Sequence, residues 1–309
     1  MRLRTTKMRL TPFLLLLAGC GGRQTAGVRV DPALAMMAPS DTVLLAGARI
    51  DKIRETEAYR KFVAERRSAT LDAFVRDTGL DPRKDVWEIL VAHTGKHPVL
   101  LARGKFSPTG GLEPRLREGA PRRLYKGYTL IGDERASIAF VNSSTAVAGP
   151  APAVRLALDE RGKSSGIPAA VLEKMKTLPP ASQAWAVSVA GPGDIPLPVP
   201  LTGNLANLAR LFRSIEGGTA GADFRNGLDA EAALTSPDAS AARQIHDALR
   251  GLIGIGRLSA PDNQRELLRF FDAIQVSQEE RTVRVRASIP LDLLIAFESF
   301  LGGKPALLR

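Results

Sequence analysis

An α+β fold, built as an internally duplicated unit of mostly antiparallel sheet packed with helices, is expected from three features of this 309-residue chain. Short apolar or alternating runs of strand length recur between amphipathic stretches of helical period. Strands arrive in pairs separated by turn residues, which favours antiparallel neighbours. The order strand, helix, two strands, helix, more strands, helix occurs twice, over 41–178 and 181–302, leaving 303–309 as a tail.

Asp41-Thr42-Val43-Leu44-Leu45-Ala46-Gly47 is an apolar run suited to a buried strand. Ile50-Asp51 opens a helical region, with Asp51 as an N-cap. Tyr59, Phe62 and Val63, then Leu71, Phe74 and Val75, form apolar stripes that stop at Gly79 and the Asp81-Pro82 turn. Trp87, Ile89 and Val91 alternate as a strand, and Val99–Ala102 is the next. A polar helix or loop near Leu112–Glu118 precedes strands at Tyr128–Ile131, Ser137–Val141 and Thr145–Ala148. Pro150 and Pro152 then introduce a helix carrying Val154, Leu156 and Leu158.

In the second half Trp185, Val187 and Val189 alternate, and Leu205, Leu208, Leu211 and Phe212 mark a helix. Two strands flank Asn226-Gly227. A three-residue loop, Arg225-Asn226-Gly227, pairs Phe224 with Leu228 and Ala222 with Ala230, which keeps one face consistently apolar. It also asks for a left-handed Gly227. Ser236-Pro237-Asp238 reads as cap, first-turn proline and first-turn acid, and Ala242, Ile245, Leu249, Leu252 and Ile253 share a helical face. Around Glu279-Glu280, Ile274 faces Val285 and Val276 faces Val283; the last strand ends at Ile289 and Pro290 starts a final helix.

The first twenty residues carry an address. Arg2, Arg4, Lys7 and Arg9 precede an apolar stretch from Leu10 to Leu17, too short to span a bilayer, and small residues end it. Leu17-Ala18-Gly19-Cys20 resembles the lipobox of bacterial lipoproteins. That resemblance implies removal of residues 1–19, diacylglycerol on the Cys20 thiol and acylation of the new amine. Several acyl chains together make a durable anchor, so the membrane is the expected partner through Cys20. The lack of an aspartate after the cysteine, where Gly21 stands, favours the outer membrane facing the periplasm over the inner membrane. Residues 20–40, with glycines and prolines but no sustained periodicity, read as a lipidated flexible tether.

Composition narrows function mainly by exclusion. A 44% hydrophobic, 24% charged chain is globular, and one cysteine excludes an internal disulfide framework or a multi-cysteine metal centre. Losing the leader lowers the formal charge from +11 to +7, and the remaining basic residues are scattered without a stacking platform, so no nucleic-acid partner is expected. Gly-x-Ser-x-Gly, Ser-x-x-Lys and His-Glu-x-x-His patterns are absent. Gly251, Gly254 and Gly256 follow a helical pattern and fit close helix packing better than a phosphate loop. His93 and His97 flank a hairpin turn without a third ligand, His246 borders an apolar face, and Trp87 and Trp185 fit core packing. No catalytic residue, cofactor or metal is assigned.

The leading expectation is therefore a non-enzymatic, membrane-anchored module that binds an envelope protein partner or serves as a scaffold. The alternative is a carrier of lipid or another apolar ligand between two curved sheets, with an enzyme of noncontiguous site less favoured. One polar face is singled out. The chosen register sets Asp223 opposite Asp229, with Glu231 farther along, while Arg284 and Arg286 alternate against Val283, Val285 and Ala287. Opposed like charges destabilise a strand pair, so a compensating solvated acid–arginine network is expected, with a bound divalent cation as the alternative.

Overall fold

Alternation along the apolar runs determines which side of each strand is buried, and here it produces one continuous sheet. The structure, a computed structural model, describes residues 27–64, 68–78, 80–106, 120–163, 166–191, 213–261 and 263–302. The leader, Cys20, the stretch around Leu112–Glu118, the helix expected on Leu205–Phe212 and the tail lie outside them.

The chain runs α1 (Pro32–Ala35), β1 (Leu44–Arg49), α2 (Ile50–Arg54), α3 (Glu57–Tyr59), a π-helical turn (Arg60–Ala64), α4 (Ala69–Thr78) and α5 (Pro82–Asp85). Next come β2 (Val86–His93), β3 (Pro98–Gly104), β4 (Arg122–Tyr125), β5 (Tyr128–Gly132), β6 (Ser137–Asn142), β7 (Thr145–Gly149), α6 (Ala151–Glu160) and α7 (Ala169–Met175). The second half holds β8 (Ala184–Ser188), β9 (Gly217–Asp223), β10 (Leu228–Thr235), α8 (Ala239–Leu258), α9 (Arg265–Asp272), β11 (Ile274–Glu279), β12 (Thr282–Ile289) and α10 (Leu291–Gly302). All neighbouring strands are antiparallel, in the order β11-β12-β10-β9-β8-β1-β2-β3-β7-β6-β5-β4.

Outward from the centre, β1-β2-β3-β7-β6 and β8-β9-β10-β12-β11 follow the same connectivity, and the β4–β5 hairpin extends only the first arm. The central pair carries the symmetry in its hydrogen bonds. Ala46 faces its own counterpart Ala186. The Arg49 amide donates to the Gln183 carbonyl at 2.7 Å, and the Val189 amide donates to the Val43 carbonyl at 2.9 Å, each bond being the image of the other. The approach to the sheet repeats too: α1 leads to a turn in which Thr42 N–H donates to Pro39 at 3.1 Å, and α7 to one in which Ser182 N–H donates to Pro179 at 3.0 Å. Antiparallel pairing of equivalent strands is what a twofold normal to the sheet produces.

Helices break that symmetry. Leu45, Leu90, Leu101, Leu130, Val147, Trp185 and Val187 project to one face and are covered by α1, α6 and α7 through Leu34, Val154, Leu158, Val171 and Met175. In the second arm the covered face is the opposite one. There α8 packs Ala242 and Ile245 on Val283, and α9 and α10 pack Phe270 and Leu293 on Ile289. Among the described residues, one face of the second arm is therefore left open, as is part of the opposite face of the first arm. The candidate sites lie there.

Several expectations need correction. Residues 31–40 are not a tether: Leu34, Met37 and Ala38 are buried, and Asp31 caps α1. The α1 cluster is four residues long, so it offered no periodicity to detect. Each unit thus opens with a helix ahead of its first strand, earlier than the boundaries at 41 and 181 suggest. Asp51 lies in the first turn of α2, where Arg49 Nη2 pairs with it at 3.2 Å, and does not cap it. Asp238, not Ser236, caps α8, accepting from the Ala241 amide at 2.8 Å. Strand β4 escaped notice because Arg122-Arg123 dilutes its apolar pattern. Trp87 is 42% exposed as the extra residue of a bulge at Val86/Glu88, while Leu90 and Ala92 hold the fully buried positions of the unbroken alternation beyond it. Trp185 is buried at 6%. At the last hairpin Val276 faces Val285 and Ile274 faces Ala287, since the turn residues are Glu280-Arg281, with Glu280 at φ 48°. The two-residue slip preserves every side chain's face.

A charged row locks α1 to the sheet. Asp31 N–H donates to Glu88 Oε1 at 3.0 Å, Arg103 Nε donates to Asp31 Oδ2 at 3.1 Å, and Arg49 lies 3.9 Å from Glu88. Burial holds the Glu88 carboxyl above the usual carboxylate range despite those partners. The folded state then binds this proton more readily than the unfolded state, so Glu88 contributes less stability as pH rises from the ordinary carboxylate range through the raised value. Glu88→Gln, which keeps the acceptor for Asp31, should therefore gain on the wild type as pH rises across that window in parallel thermal melts. A gap that narrows with rising pH would contradict this.

Candidate functional site

The open face of the second arm holds the charged residues that alternation selects. The β9–β10 hairpin has the three-residue loop: Asp223 faces Asp229, Ala222 faces Ala230, and Gly227 has φ 113°. A Cβ on Gly227 would also approach the Ile289 carbonyl to 2.3 Å, so both conformation and space require glycine. Strand β12 lies beside β10, placing Arg286 opposite Glu231 and Arg284 opposite Ala233.

The side chains gather in three groups. Glu231 Oε1 takes Arg286 Nη2 at 3.2 Å and Arg284 Nη1 at 3.7 Å. Asp229 accepts a hydrogen bond from the Ser288 hydroxyl at 2.5 Å. Asp223 is held by Arg225 of the turn, whose hydrogen bonds keep this carboxyl below the usual range. The opposed aspartates are thus compensated by a serine and a turn arginine, while the two strand arginines serve Glu231. Alternation could not single out Arg225, because a turn residue has no assigned face. Asp223, Asp229, Glu231 and Arg286, with Ser182 and Pro179 from the turn after α7, line a groove of about 380 Å³; Arg284 lies outside it.

This groove sets paired charges and hydroxyls among small apolar residues such as Ala181, Ala230 and Ala287. Among the described residues no group of three or more His, Cys, Asp or Glu side chains is placed to hold a metal ion. His93 Nδ1 accepts from the Gly95 amide at 2.9 Å within its own turn, and His246 Nδ1 lies 2.8 Å from Asp247 Oδ1. Gly256 gives room to the Phe271 ring, 2.4 Å from where a Cβ would stand. Since the Arg286–Glu231 pair is exposed, Arg286→Ala should cost about 0–1 kcal/mol in denaturant unfolding, and less at high salt. A larger, salt-independent loss would contradict a solvated network.

A second opening has the apolar character expected of a carrier, in a different place. On the other face of the first arm, Ile89, Leu100, Phe106, Ile131, Ile138 and Ala148 line an apolar cavity of about 460 Å³ with a mouth to solvent. It lies on a single sheet, not between two curved ones. Its signal was present: Leu100-Leu101-Ala102 and Ile138-Ala139-Phe140 are apolar on both faces, so each needs cover on two sides. Among the described residues the second side is covered by Leu80 and its neighbours, and the cavity remains. Among the described residues no helix is long and apolar enough to cross a membrane.

Neither a family model nor a curated protein sequence matches this chain. Solved structures of TP0453 are similar over 88% of it: crystal form I (13% identity, 98% of that chain, TM-score 0.46), form III (10%, 99%, 0.49) and form IV (12%, 97%, 0.45).

Proposed function

We propose that this chain is an exported lipoprotein, anchored through acylated Cys20 in the outer membrane facing the periplasm, whose non-enzymatic body holds an apolar ligand. The apolar cavity of the first arm carries this reading. Its volume of about 460 Å³ falls in the range of small-molecule sites, and its lining is almost wholly aliphatic and aromatic. That observation favours a carrier over the scaffold role that the sequence alone puts first. The anchor rests on the lipobox resemblance of Leu17-Ala18-Gly19-Cys20. A second reading, docking of an envelope protein partner, is supported by the groove that Glu231 and Arg286 line together with small apolar residues.

Binding of a fluorescent apolar probe to the full chain tests the carrier reading. The probe should bind saturably, be displaced by fatty acid, and bind at least about tenfold more weakly to Ala148→Phe, since the ring removes contact worth more than 1.4 kcal/mol. Equal binding by this variant would reject the cavity as the site. Intact mass of Cys20→Ser from the membrane fraction tests the anchor: an unlipidated, uncleaved precursor is expected, and a mature protein with a different start would reject the lipobox.

A further inference from the structure

The two arms bring equivalent corners of the sheet together with different charges. In the first arm Glu88 faces Arg103, and Gly104 N–H donates to the Ser144 carbonyl at 3.1 Å. In the second arm Gly217 faces Thr235, and Ser236 N–H donates to the Arg281 carbonyl at 2.9 Å. Gly217 thus stands where Glu88 stands, Val189 where Arg49 stands, and Arg281 where Ser144 stands. The first corner is closed and balanced, Arg49 and Arg103 being matched by Glu88 and Asp31.

Among the described residues the second corner lacks those acids and is open. Lys174, Arg213 and Arg281 line a pocket of about 650 Å³ with Glu216 as its one carboxylate among the described residues. Glu216 reaches Arg281 at 3.7 Å. Neither Lys174 nor Arg213 has a carboxylate partner among the described residues. Lys174 Nζ lies 3.2 Å from where a Cβ on Gly217 would stand, so the ammonium occupies the side of the strand that carries a carboxylate in the other arm. Burial and the nearby Arg281 both push this ammonium's pKa down, as expected for a cation lacking a counter-charge.

We infer that this pocket binds a phosphoryl anion, held by Lys174, Arg213 and Arg281 in the place that Glu88 fills in the first arm. The anion supplies the missing negative charge, and the pocket's volume exceeds what one carboxylate needs. Free phosphate and a phospholipid head group share this chemistry, and the site is separate from the apolar cavity.

The test is thermal melting and phosphorus NMR of the full chain, titrated at constant ionic strength with inorganic phosphate and, separately, with short-chain phosphatidylglycerol. A saturable rise in melting temperature is expected. Lys174→Gln and Arg281→Gln should each weaken binding at least about tenfold, the loss of one charge-assisted hydrogen bond. Lys96→Gln, on the β2–β3 turn, should leave it unchanged. Arg281 is an exposed turn residue, so its variant tests the pocket even if Lys174→Gln unfolds the chain. Tighter binding of the lipid through the same two residues identifies a head-group site, and equal or tighter binding of inorganic phosphate a free-anion site. No saturable response to either probe, or a response that both variants retain, overturns the inference.

Discussion

Leu34→Ala is expected to lower the unfolding free energy by about 2–5 kcal/mol, the range for truncating a buried leucine. Leu34 is fully buried although α1 has only four residues, and Met37 and Ala38 continue the same contact with the core. The Asp31 cap and its bonds to Glu88 and Arg103 fix the segment, so the side chain cannot relax outward to fill the void. Met36→Ala, half-exposed next door, should change stability by less than about 0.5 kcal/mol. Equilibrium urea unfolding of the two variants distinguishes a docked helix from a tether, because a tether makes them equal. For the same reason a chain beginning at Asp41 should be destabilised, although its polar surface favours solubility.

Trp185→Ala should cost about 3–5 kcal/mol. The indole packs over the backbone of Gly47, its cross-strand partner at the centre of the sheet. A Cβ on Gly47 would approach the ring to 2.5 Å, so the two residues share one volume. Gly47→Val should therefore be destabilising alone and much less so in the Trp185→Ala background, a coupling that a double-mutant cycle reads directly. Trp87→Ala, at the exposed bulge, should fall well below the Trp185 loss. Additive losses at Gly47 and Trp185 would show that the central pair does not pack as described.

Legibility in the sequence followed the range of the interactions. The α+β class, most strands and the Asp223–Asp229 register came from local period and turn chemistry, because one apolar face and one glycine suffice to set them. The α1 segment did not, because four residues hold less than two helical turns of pattern and its burial depends on the distant strand β3. Trp87 misled for a related reason: a bulge is invisible to a strict period of two, and it puts the indole outside the core. At the polar face, alternation found Glu231, Arg284 and Arg286 but missed the turn residue Arg225 and the hydroxyl of Ser288. The cavity and the basic corner depend on which of the described helices cover which face, and that is decided by packing between distant segments. The meeting of the two units through β1 and β8 is likewise nonlocal.

NMR tests that meeting of β1 and β8 directly. In the register described, Leu44/Ser188, Ala46/Ala186 and Ala48/Ala184 are the pairs between the hydrogen-bonded ones, where opposing Hα atoms approach most closely. Hα–Hα cross-peaks are expected for all three pairs, with slowly exchanging amides at Arg49 and Val189. Cross-peaks in any other register, or β1 and β8 each exchanging as a free edge strand, would contradict it.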